Sequence, residues 1–133
     1  MNKNELTTFF ESELNKLITE IGLYRNEENI WRIEKNISNS AGNLTLHLIG
    51  NLHTFIGNEI GKTNYVRNRE LEFTQNNVSR IELINSINTT IEMVKKSLVS
   101  ITNEELKNDY PILKFSKVET NEYLLVHLIK QLT

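Results

Sequence analysis

Apolar residues recur at helical spacing in four blocks of this chain, separated by polar or glycine-bearing segments. The first block, marked by Phe9, Leu14, Leu17, Ile18 and Ile21, predicts a helix from about Leu6 to Leu23. The second carries Leu44, Leu48, Leu52 and Phe55. It begins near Ser38 to Ser40, where serine and asparagine are good caps, and stops at Gly61 after Ile60. In the third, Ser79 and Glu82 read as a capping box, and Ile81, Leu83, Ile84, Ile87, Ile91 and Val94 carry a helix to about Leu98. The fourth opens near Thr120 and runs through Leu124, Leu125, Leu128, Ile129 and Leu132.

The connectors are read from their punctuation. Trp31 and Ile33 lie in a polar link with room for a short helical turn, and a long loop rich in Arg and Glu joins the second block to the third. Pro111 marks the last loop. The alternation from Ile112 to Val118 is a strand candidate without a partner of comparable length. The pattern predicts an all-α, antiparallel four-helix bundle, one domain spanning residues 1–133. Phe9, Phe10, Trp31 and Phe73 are expected at its core or at an interface.

At ~1.5 Å per residue, the second and third helices reach about 30 Å, whereas the last apolar run ends after about 20 Å. A short fourth member would leave apolar surface on its neighbours. The expectation is either that the natural chain continues past Thr133 or that a partner subunit covers the gap, as in a homodimer.

Composition narrows the functional classes. A chain without cysteine has neither disulfides nor thiolate chemistry of its own. A net charge of −2, with both signs interspersed, gives no footprint for nucleic acid. The N-terminus, Met1 to Glu5, is polar, and no apolar run approaches the ~20 residues of a membrane span. A cytoplasmic protein, not engaged with a membrane, is expected.

The candidate chemistry centres on histidine. At about 100° per residue, His47 and Asn51 project together beside the apolar stripe of the second helix, toward a helix–helix seam. His53 projects away, toward solvent or a loop. In the last helix Gln131 lies close to the stripe, with His127 at its margin one turn earlier. A buried imidazole must satisfy two ring nitrogens, so His47 serves either a polar network or a metal. Arg67, Arg69, Glu70 and Glu72 read most simply as an ion-pair cluster pinning the long loop. Alternatively, Tyr65, Arg67, Arg69 and Glu72 form a mouth for an anionic substrate, since arginine grips carboxylates bidentately.

Three stretches together carry a resemblance: His47-Leu-Ile-Gly-Asn-Leu52, Tyr65-Val-Arg-Asn-Arg-Glu-Leu-Glu-Phe73, and the closing helix opening Thr120-Asn-Glu-Tyr-Leu-Leu125. They are similar to the DinB/YfiT-like superfamily, and more closely to one of its branches of unknown function. The resemblance implies a four-helix bundle of characteristic topology, commonly a homodimer, with nickel or zinc held by three histidines. Some members transfer small thiols, and others have been called metal-dependent hydrolases. On this chain the resemblance makes His47 the second-helix ligand. The first histidine of the last-helix pair falls at Gln131 and the second beyond Thr133, with His127 a substitute one turn upstream. Two expectations stay open: a metal-dependent thiol transferase or hydrolase, and a non-catalytic dimeric bundle that has lost its metal site.

Overall fold

The computed structural model describes residues 1–33, 38–112 and 117–133. Among these described residues five α-helices follow one another: α1 (Lys3–Leu23), α2 (Ala41–Leu52), α3 (Arg69–Thr74), α4 (Arg80–Val99) and α5 (Asn121–Leu132). The described residues form no strand; Asp109 and Thr120 make an isolated bridge that ties the last loop to the start of α5. The Ile112–Val118 alternation lies largely outside the described residues. Among the described residues no helix is long and apolar enough to cross a membrane.

Side-chain caps set the helix starts. The Asn2 side chain accepts from the Glu5 N–H while the Glu5 carboxylate accepts from Asn2, a complete capping box. Ser40, Ser79 and Thr120 each accept from the backbone N–H three residues on, where α2, α4 and α5 begin. The predicted box at Ser79 forms its hydroxyl half, and the Arg80 N–H is taken by Glu27, in a short 3₁₀ turn at Glu27–Trp31.

α1 packs most extensively on α4 and also against α5, while α2 meets α3, α4 and α5. Between them lie Leu6, Phe10, Leu14 and Ile21 of α1, Leu52 of α2, Leu83, Ile87 and Leu98 of α4, and Leu124, Leu125 and Leu128 of α5. The aromatics divide differently from expectation. Phe10 is buried, but Phe9 is 47% exposed, because consecutive residues on a helix point about 100° apart and only one can face α4. Trp31 is half-buried against Gly42 and donates its indole N–H to the Val78 carbonyl at 3.1 Å.

Two features depart from the sequence reading. The predicted second helix is α2 continued by a single π-helical turn, His53–Asn58, which closes through a turn at Gly61. The Arg/Glu-rich stretch is not all loop, since Arg69–Thr74 forms α3. Six residues cannot hold a helix by propensity, so α3 stands on tertiary contacts. Asn68 caps its start, and Asn43 of α2 donates to the Glu72 and Gln75 carbonyls at its end, at 3.0 and 2.7 Å.

Candidate functional site

Asn43, His47, Gly50 and Asn51 fall at i, i+4, i+7 and i+8 on α2, one face of the helix, and α3 lies across that face. Gly50 makes the close approach possible: a Cβ there would lie 2.0 Å from Oε2 of Glu72. Glu72, 6% exposed, reaches into this gap and accepts from Arg67 twice, Nε to Oε2 at 2.8 Å and Nη2 to Oε1 at 2.9 Å. His47 Nδ1 stands 3.2 Å from the same Oε1.

Two tautomers of His47 compete for these neighbours. With the proton on Nδ1, the ring donates to Glu72 and Nε2 accepts from the Asn51 amide at 3.5 Å. With the proton on Nε2, Nδ1 instead accepts from Arg67 Nη2, 3.2 Å away, and the Asn51 amide meets a second donor. The Asn51 amide also donates to Gln131 Oε1 at 3.4 Å, an orientation that selects the Nδ1–H tautomer. Gln131 Nε2 continues to His127 Nε2 at 3.3 Å. A continuous hydrogen-bonded chain therefore runs from Arg67 through Glu72, His47, Asn51 and Gln131 to His127, with Glu72 accepting from both its neighbours and Asn51 donating to both of its own. Phe73 covers the His47 ring at 5.0 Å between centroids and is itself 38% exposed.

The structure thus brings together six residues singled out in the sequence: His47, Asn51, Arg67, Glu72, Gln131 and His127. Arg69 and Glu70 stay outside, exposed in the first turn of α3. Arg67 has its Nε–Nη2 edge, the edge that grips a carboxylate, already on Glu72. Tyr65 is next in the segment 62–68, which Asn58 ties down through the Tyr65 backbone N–H and carbonyl, each at 2.8 Å. Burial, and then the Glu72 charge, push the Tyr65 hydroxyl up, with Arg67 opposing, so it remains a neutral donor. Asn43 and Gly50 were not singled out in the sequence, although they flank His47 by one turn on either side. Among the described residues no three His, Cys, Asp or Glu side chains converge.

His53 departs from expectation. Its ring is half-buried, stacked on Tyr65 at 4.7 Å, with Nε2 3.1 Å from the Thr90 hydroxyl of α4. Thr90 donates its own proton to the Ser86 carbonyl, so His53 Nε2 carries a proton and donates to Thr90. Burial lowers the His53 pKa from its ordinary 6.5. Below about pH 6.5 the unfolded chain therefore takes up a proton that the folded chain resists. Folding stability is expected to hold at neutral pH and fall as pH drops below that point. Urea unfolding at pH 7.5 and 5.5 checks this: His53→Gln should have a smaller loss between the two pH values than wild type.

A family model described as "Protein of unknown function (DUF1572)" matches residues 5–119. No curated protein matches, and no solved structure matches. The matched span takes in His47, Asn51, Arg67 and Glu72 and ends before α5.

Proposed function

The chain belongs to the DUF1572 family of unknown function, and from that premise we propose that it is a DinB-like antiparallel four-helix bundle working through Nε2 of His47. The long members of this bundle are α1, α2, α4 and α5, with α3 as a strap on α2; the packing of α1 on α4 and α5, and of α2 on α4 and α5, supports it. The observation that carries the site is the carboxylate on Nδ1. A ring nitrogen bonded to a carboxylate leaves the opposite lone pair fixed in direction and more basic, which is how metal-bound histidines are held. On this reading His47 is the second-helix ligand of a nickel or zinc ion in a cytoplasmic, homodimeric thiol transferase or hydrolase.

The donors beside Nε2 are the amides of Asn51 and Gln131, with His127 one hydrogen bond further along. Catalytic zinc takes three protein ligands, and neutral amide oxygens suit harder ions. The described residues therefore supply the oriented imidazole and do not by themselves make a nickel or zinc site. Gln131 favours a second reading: its amide satisfies Asn51 and His127 without an ion. That reading is a non-catalytic dimeric bundle.

Metal analysis of untagged protein separates the two. About one nickel or zinc per chain, lost in His47→Ala and reduced in Glu72→Gln, supports the ligand reading. Substoichiometric metal, unchanged by His47→Ala, overturns it. Sedimentation at micromolar concentration tests the dimer common to both readings, which a monomeric mass would contradict.

A further inference from the structure

On the side of Glu72 away from the helix–helix seam, a groove of about 530 Å³ opens between α2, the 62–68 segment, α3 and α4. Its size is that of a small-molecule site. Leu46, Ile49 and Leu71 give it an apolar side, and Asn85, Ser86 and Thr89 of α4 face it with amide and hydroxyl groups. The stacked His53–Tyr65 pair lines one end, and the same pair lines a second groove of about 470 Å³.

A stretch of poor helix formers and a break in helical regularity meet at this groove. α4 carries Asn85, Ser86, Asn88, Thr89 and Thr90 in its middle, all poor helix formers, although it is among the longest helices here. Across from them, α2 widens into its π-helical turn at His53, a form frequently found at functional sites. Local choices that weaken an element without improving its packing concentrate where a protein binds or reacts. The exposed Asn85 and Thr89 add nothing to the core.

Charge narrows the occupant. Glu72 is the charged residue lining the groove, and both its oxygens are taken by Arg67 and His47. No lysine or arginine among the described residues lines it, and burial keeps His53 neutral near pH 7, so an anion there would go uncompensated. We propose that this groove binds a small uncharged molecule with an apolar face on Leu46, Ile49 and Leu71 and a hydrogen-bonding edge on Asn85, Ser86 and Thr89. The inference stands whether or not His47 holds an ion.

Methyl NMR titration of the whole chain tests it, with adenosine as a base-bearing probe, methyl glucoside as a sugar probe and AMP as the charged counterpart. Adenosine or methyl glucoside is expected to shift the Leu46, Ile49 and Leu71 methyl resonances saturably, and AMP to bind at least about tenfold more weakly than adenosine should adenosine be the binder. Ser86→Trp should fill the groove and abolish the shifts. Asn85→Ala, at an exposed position, should weaken binding by about three- to tenfold, the worth of one hydrogen bond, with Tm no lower than wild type and slightly raised by alanine's helix propensity. This second variant decides the matter if the first does not fold. Saturation by neither neutral probe, shifts that survive Asn85→Ala undiminished, or AMP binding as tightly as adenosine would each overturn the proposal.

Discussion

Gly50→Ala should destabilise the fold by about 3 kcal/mol, the opposite of what helix propensity alone would give. In mid-helix, alanine is favoured over glycine by about 1 kcal/mol. The added methyl, however, would lie 2.0 Å from Oε2 and 2.7 Å from Cδ of Glu72, and 3.1 Å from Nε of Arg67. Glu72 cannot swing aside without leaving Arg67, and breaking such a buried pair costs about 3–5 kcal/mol. The gain in propensity offsets only a small part of that. Gly22 is the internal control: it lies in α1 with nothing within 4 Å of an added Cβ. Gly22→Ala should stabilise by a few tenths of a kcal/mol to about 1 kcal/mol in the same urea titration. Equal effects from the two substitutions would mean that α3 does not press on α2 at Gly50.

The helices were legible where local signals and burial agreed. Ser40, Ser79 and Thr120 announced three starts, and a uniform 100° turn correctly aimed His47 and Asn51 at the seam that Gln131 also reaches. The same rule misplaced His53 because it took a single stripe of α2 as covered: Ile49 and Ile56, on the side where His53 lies, are buried as well, α4 packs there, and Leu44 of the assumed stripe is exposed. α3 was invisible for another reason. Its six residues carry no apolar period, and what makes them helical is distant in sequence: the gap at Gly50 that admits Glu72, and the Asn43 side chain that closes the helix end. The simplest sequence reading of the cluster, an ion pair pinning the segment, holds for Arg67 and Glu72 and stops there, since Arg69 and Glu70 face solvent.

Removing one partner of the Arg67–Glu72 pair should cost far more than removing both. Glu72→Ala leaves a guanidinium 13% exposed and the His47 Nδ1–H without their acceptor, for an expected loss of about 3–5 kcal/mol. Arg67→Met strands the carboxylate in turn, at a comparable cost. In the double variant, Arg67→Met with Glu72→Leu, no charge is left unpaired and the volume is roughly kept. Its stability should return to within about 1–2 kcal/mol of wild type, giving a strongly non-additive cycle. The imidazole reports separately. Nitrogen shifts of His47 should show the Nδ1–H tautomer in wild type and a mixture in the double variant, because the carboxylate at 3.2 Å is the stronger of the two groups that favour that proton position, the Asn51 amide at 3.5 Å being the other. Stability recovered with the tautomer still fixed would mean that Asn51, rather than Glu72, orients the ring. Two single losses that simply add would show that the pair is solvated and that the gap at Gly50 exists for some other reason.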